Sequence, residues 1–240
     1  GRYRAAKAFA VLDDHTRIVC HVQWYLAEDT ERLVHGFIQA LLKRGLPGEL
    51  MHDNGSAMKA AEIGQGVKRL GIQIEPTLEY SPYQNGKQET FWETVEGRLM
   101  AMLERVEPLE LRSLNRSTLA WAEYDYNRAI HSELGVTPLE RMLEGPDVSR
   151  RCPDLEVLRQ RFVRIEGRTQ RHGDGTISIK GVRFEIPNRF RAFDQVRVGY
   201  RKWDLSMAYL IDERNDEVIA RIYPVDKERN ADCRRRTLET

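Results

Sequence analysis

Tyr80-Ser81-Pro82-Tyr83-Gln84-Asn85-Gly86-Lys87-Gln88-Glu89 is the stretch from which the rest of the chain can be read. It begins as a loop rich in turn formers, with Ser81-Pro82 and Gly86 interrupting any regular pattern. From Gln88 the pattern turns helical, because Phe91, Val95, Leu99, Met102 and Val106 recur at helical spacing. Glu89 therefore opens a helix directly behind a loop. Upstream, Glu49 to His52 is short and extended and runs into Asp53-Asn54-Gly55-Ser56. Asp53 thus ends a strand, where a side chain can project from a sheet edge into a cleft. Thirty-five residues separate Asp53 from Glu89.

Two carboxylates brought together from a strand end and a helix start suit hard, oxygen-preferring cations such as Mg²⁺ or Mn²⁺. A pair of such ions can clamp the attacking and leaving oxygens of a phosphodiester during in-line displacement. With 37 acidic residues in the chain, spacing alone does not single out this pair. The surrounding words do. Leu12-Asp13-Asp14-His15-Thr16-Arg17, His52-Asp53-Asn54-Gly55-Ser56 and Tyr80 to Glu89, in this order, resemble the catalytic core of retroviral integrases and bacterial insertion-sequence transposases. Tyr126-Asn127, His131-Ser132 and Thr137-Pro138-Leu139-Glu140-Arg141 resemble that family's ending, so the likeness covers residues 5–145.

The resemblance implies a ribonuclease-H-like α/β core: a mixed five-stranded sheet with helices on both faces. It implies a polynucleotidyl transferase that hydrolyses a phosphodiester at transposon ends and joins the freed 3′-hydroxyl to target DNA. Asp53 would be the second catalytic acid and Glu89 the third, both as ligands of a two-metal Mg²⁺ or Mn²⁺ site. Glu93, one helical turn on, is the rival for Glu89. Gln84, Asn85 and Lys87 would contact DNA beside the scissile phosphate, lysine being a compact charge suited to that role. The implied partners are transposon-end and target DNA and further copies of the chain. The family's first aspartate is expected about 15–20 residues before Asp13, on the preceding strand and hence ahead of Gly1. Asp13 and Asp14 are expected to shape a hairpin turn instead, and His52 to be packed or hydrogen-bonded rather than a ligand.

Working outward, residues 5–12 and 18–25 read as strands, and Asp29 or Thr30 caps a helix with Leu33, Val34, Phe37, Ile38, Leu41 and Leu42 on its apolar face, stopped by Gly45. Ile72 to Pro76 suggests a strand, and a further helix covers 113–131. Strands alternating with helices make an α/β layer fold. Beyond residue 160 the period changes to two. Six short strands are expected at 162–165, 176–179, 182–186, 196–200, 207–211 and 218–222, as in a small barrel. This region resembles the β-barrel that follows the core in Mu-type transposases, most clearly at Gly175 to Val182. The organisation reads as a core at 1–149, a basic linker at 150–164, a barrel at 165–225 and a disordered tail from 226.

The net charge of +1 does not announce a nucleic-acid partner, but its distribution is uneven. Seven arginines stand against three acids between Arg150 and Arg171. Composition allows either a phosphate-tracking stretch or a solvated, salt-bridged helix face. In the context of the resemblance, Arg161, Arg164 and Arg168 become DNA-binding candidates. Cys20, Cys152 and Cys233 lack paired spacing and read as reduced thiols. No run of about 20 apolar residues is present to span a bilayer, and the first residues contain no signal-peptide core. The expected location is the bacterial cytoplasm, on the nucleoid when active.

Overall fold

A computed structural model of the chain describes residues 4–52, 60–76, 86–171 and 173–226. It divides into two compact units, 1–158 and 159–240.

In the first unit the apolar alternation of β1 (Lys7–Leu12) and β2 (Val19–Tyr25) produces an antiparallel hairpin, from Lys7 opposite Tyr25 to Leu12 opposite Val19. Helix α1 (Thr30–Arg44) is capped by Asp29, whose carboxylate accepts the Arg32 N–H, and ends at Gly45 with φ +86°. Its buried face carries Val34, Phe37, Ile38 and Leu41, whereas Leu42 is exposed. Gly36 lets this helix close on the hairpin: a Cβ there would lie 2.5 Å from Phe9 Cδ1. Strand β3 (Glu49–His52), helix α2 (Ala61–Arg69) and β4 (Gln73–Pro76) follow, and β3 pairs in parallel with β4. A parallel pair needs a crossover, which α2 provides.

In place of one five-stranded sheet, the described residues of this unit hold two two-stranded sheets, β1–β2 and β3–β4. The outer edge of β2 is closed by side chains rather than by a strand. Asn127 Oδ1 accepts the Val19 N–H at 2.9 Å and its Nδ2 donates to Val19 O at 3.2 Å. Asn115 does the same for Trp24, at 2.7 and 3.0 Å. Two amides thus stand in for a neighbouring strand and leave β2 a finished edge. Among the described residues no strand pairs with the other edge of β1. Asn127→Ala would leave the buried Val19 N–H and C=O without these partners, at about 1–3 kcal/mol for each group. The thermal midpoint is expected to fall by several degrees; an unchanged midpoint would show that water satisfies the edge equally well.

Helix α3 (Gly86–Thr94) runs into a π-helical turn (Val95–Met100), then α4 (Ala101–Leu103). Phe91, Val95 and Leu99 are buried against Ala10, Val19, Val22, Trp121 and Tyr126, as their spacing predicts. Met102 and Val106 are not: they are 67% and 42% exposed. The π turn inserts a residue into the helical repeat, so Leu103 rather than Met102 meets the core. Helix α5 (Leu111–Tyr124) ends earlier than expected and gives way to a 3-10 turn at Tyr126–Arg128. Helix α6 (Pro138–Glu144) starts with a reciprocal capping box between Thr137 and Glu140, and α7 (Leu155–Arg161) follows.

The described residues of the second unit form six strands: β5 (Arg164–Thr169), β6 (Thr176–Ile179), β7 (Val182–Glu185), β8 (Gln195–Arg201), β9 (Asp204–Ile211) and β10 (Val218–Ile222). They form a four-stranded antiparallel sheet, β10-β9-β8-β5, and a separate hairpin, β6-β7. The expected single barrel sheet is therefore interrupted. Among the described residues, isolated bridges, Arg171 with Thr176 and Phe184 with Pro224, link the hairpin to the segments beside the larger sheet. Ile177, Ile179, Phe184, Val198, Tyr200 and Leu210 fill one core between them. The expected tail, from 227 on, lies outside the described residues.

Candidate active site

The β1–β2 connection is held by its own aspartate. Asp13 Oδ2 accepts the Thr16 N–H at 2.8 Å and the Thr16 hydroxyl at 2.7 Å. Arg17 closes the turn in the left-handed region, at φ +62°. Asp13 is thus committed to turn geometry, as its place in the sequence suggests. Asp14, beside it, faces Lys87 across 73 residues of sequence: Lys87 Nζ donates to both carboxylate oxygens at 2.7 Å. Arg17 is nearly buried and grips Glu133, Nη2 to Oε1 at 2.8 Å and Nε to Oε2 at 3.3 Å. That guanidinium holds the Glu133 carboxyl below the usual range, with smaller contributions from His131 and Lys87.

Glu89 stands in the first turn of α3 and is exposed. Its direction follows from Phe91, which is buried and stacked among Trp92, Trp121 and Tyr126, with ring centroids 5.0 to 6.4 Å away. Two helical residues are about 200° apart, so anchoring Phe91 in the core turns Glu89 outward. Among the described residues no hydrogen bond or ion pair uses the Glu89 carboxylate. Glu93 is likewise exposed, one turn later.

Asp53, Gln84 and Asn85, and with them the expected approach of Asp53 to Glu89, lie outside the described residues. What can be placed are the strands leading to them. His52 is half-buried at the end of β3, directly opposite Pro76 at the end of β4. Parallel pairing makes the chain leave both strands at the same end, the usual place for function in open α/β sheets. Among the described residues no group of three His, Cys, Asp or Glu side chains is placed to hold a metal ion. An exposed Glu89 with no partner among the described residues is a fitting oxygen donor, provided that Asp53 supplies a second.

Several arginines of the basic stretch are engaged within their own unit. Arg150 is a strut of the first unit: its backbone bridges Leu46, and its guanidinium donates to the carbonyls of Leu70, Pro47 and Gly71 at 3.0, 3.0 and 3.1 Å. Arg164 and Arg168 both bind Glu166, which also accepts the Tyr200 hydroxyl at 3.0 Å. Burial pushes the Glu166 carboxyl up, but the Tyr200 hydrogen bond and the two guanidinium groups hold it below the ordinary value. Arg161 ends α7. The Lys87–Asp14 and Arg17–Glu133 pairs carried no signal in the sequence, since their members are 73 and 116 residues apart.

No protein-family model matches the chain, and no curated protein does either. Solved structures do. One chain of the simian T-cell lymphotropic virus intasome, in complex with the PP2A regulatory subunit B56 gamma, matches 92% of this chain and 70% of its own at TM-score 0.53 and 15% identity. The chain shares the fold of that intasome chain. Two integrase catalytic cores are similar over shorter stretches. That of BIV integrase covers 58% of this chain and 86% of its own, at 24% identity and TM-score 0.48. That of HTLV-2 integrase, a trimeric form in complex with magnesium, covers 56% and 91%, at 17% identity and TM-score 0.44. In this chain Glu89 and Lys87 share the first turn of α3. Among the described residues no helix is long and apolar enough to cross a membrane.

Proposed function

We propose that this chain carries the catalytic core of a DNA transposase or integrase, a metal-dependent polynucleotidyl transferase. The observation behind this reading is an outward, uncommitted Glu89, two residues after Lys87 at the start of a helix in an integrase fold. The family words at 52–56 and 80–89 flank it. Water attacks a phosphodiester at the transposon end and displaces the 3′-oxygen, leaving a free 3′-hydroxyl. That hydroxyl attacks a target phosphodiester in line. One P–O bond forms as another breaks, and the target strand departs with its own 3′-hydroxyl. Asp53 and Glu89, with a third carboxylate, would hold Mg²⁺ or Mn²⁺, which supplies charge stabilisation to the attacking and leaving oxygens. Lys87 positions the phosphate, with Gln84 and Asn85 beside it on the preceding loop. No covalent protein–DNA intermediate is needed. The test is divalent-cation-dependent joining of oligonucleotides by a protein that also carries the family's first aspartate.

The chain acts on DNA as a homo-oligomer in this reading, and the second unit is a Mu-type barrel that helps assemble it. One further strand, between β3 and the edge of β1 that no described strand pairs with, would make these four strands a five-stranded core. The competing reading is a DNA-binding or assembly subunit without chemistry. It is favoured by the commitment of Asp13 to its turn, which leaves that carboxylate unavailable as a ligand.

Arg161, Arg164 and Arg168 are proposed as phosphate-binding groups. Their glutamine variants should weaken binding to every DNA sequence about equally. They should also lower the slope of log affinity against log salt by about 0.9 for each phosphate that is no longer neutralised. Glutamine is preferable to charge reversal, because Glu166 would otherwise face further acids. Unchanged binding at moderate salt would reduce Arg164 and Arg168 to neutralisers of Glu166.

A further inference from the structure

We propose that the cleft between the β1–β2 turn, the start of α3 and residues 131–135 seats a backbone phosphate of DNA, and that Asp14 holds its lysine until the phosphate arrives. The proposal rests on the DNA-joining reading and deepens it, by assigning a role to a residue outside the metal-binding acids.

The cleft is open, about 220 Å³, and lined by Arg17, Gly86, Lys87, Thr90, His131 and Glu133. The formal charges at its rim balance: Arg17 and Lys87 against Glu133 and Asp14. The two ion pairs are not equivalent, however. The Arg17 side chain is 8% exposed and meets Glu133 through two donors, so withdrawing the acid would strand a buried charge. Lys87 is 41% and Asp14 75% exposed. An open lysine–carboxylate pair contributes little, so its ammonium exchanges partners at small cost. Arg17–Glu133 is therefore a fixed wall and Lys87–Asp14 the exchangeable member.

A phosphate oxygen can replace the Asp14 oxygens on Lys87 Nζ while keeping a charge-assisted hydrogen bond. Gly86 and Lys87, which line the cleft, also begin a nine-residue helix, whose first N–H groups favour an anion. Asp14 opposes that occupancy twice. It competes for Lys87, and its own charge repels an approaching phosphate. Asp14 is thus a positioning residue that keeps Lys87 at the rim and weakens DNA binding as it does so.

The experiment measures binding of a short DNA duplex to the 240-residue chain at several salt concentrations. It compares Asp14→Asn, Asp14→Ser, Lys87→Gln and the Asp14→Asn/Lys87→Gln double variant. Glu110→Gln, an exposed acid at the start of α5, controls for loss of negative charge elsewhere. Both Asp14 variants are expected to bind about two- to fivefold tighter than the parent, with unchanged thermal midpoints. The gain should disappear when Lys87 is already Gln, because a general field effect would survive there and partner exchange would not. Equal or weaker binding by both Asp14 variants overturns the proposal, as does an undiminished gain in the Lys87→Gln background. In either case salt-dependent binding by the parent chain leaves the DNA-joining reading standing. No duplex binding by the parent chain overturns both.

Discussion

Glu89→Gln is expected to reduce Mg²⁺- or Mn²⁺-dependent joining of oligonucleotides by at least on the order of 10²–10³, the usual cost of losing one preorganised electrostatic group. Asp53→Asn should do the same, in a protein that carries all three acids. The Glu89 change is unusually clean, because its carboxylate is exposed and makes no hydrogen bond or ion pair among the described residues. No described residue pairs with its charge, so the thermal midpoint should not move. Glu93→Gln is the discriminating control. It sits one turn later on the same helix and is equally exposed. If Glu93→Gln lost joining and Glu89→Gln retained it, the third acid would be Glu93. If neither mattered, the transferase reading would fail.

The second expected result concerns the first acid. The 240-residue chain should fail to join DNA, whereas a protein extended by about 25 N-terminal residues, enough for one strand of ordinary length and its turn, should succeed. Asp13 spends its carboxylate on Thr16, whereas Asp14 holds Lys87 in an open, exchangeable pair from the short connection between β1 and β2. Recruiting Asp13 would dismantle the turn, and recruiting Asp14 would free Lys87 but place the acid on a short exposed connection. The sheet offers a place for an added strand on only one side of the hairpin. Asn115 and Asn127 close β2, whereas no strand among the described residues pairs with the outer edge of β1. Losing an ion that needs the first acid should cost at least as much as losing one oxyanion donor. Robust joining by the 240-residue chain would make Asp13 or Asp14 the first acid after all. Asp14→Asn in that chain would then identify which.

Much of the local architecture could be read along the chain, for a reason common to each case. Asp29 caps α1, Gly45 ends it, and Thr137 with Glu140 opens α6. Each of these depends on residues within one or two turns of each other. Phe91, Val95 and Leu99 carry α3 into the core because a four-residue repeat returns a side chain to the same face. The outward aim of Glu89 is the complement of that repeat, and so was legible as well. The period-two stretches beyond residue 160 became six antiparallel strands for the same kind of reason.

What the sequence could not decide was which partner each polar group would find. A π turn between Val95 and Met100 moved Met102 off the buried face and put Leu103 there. Side chains 108 and 91 residues away in sequence took the place of a strand along β2. Arg164 and Arg168, countable as part of a basic stretch, share one carboxylate with Tyr200. Lys87, readable as a cation beside the reacting phosphate, holds Asp14. Burial and helical phase are properties of a residue and its near neighbours, so periodicity reports them. A hydrogen bond or ion pair requires two groups within about 3 Å of each other, and for groups far apart in sequence only the folded chain sets that distance.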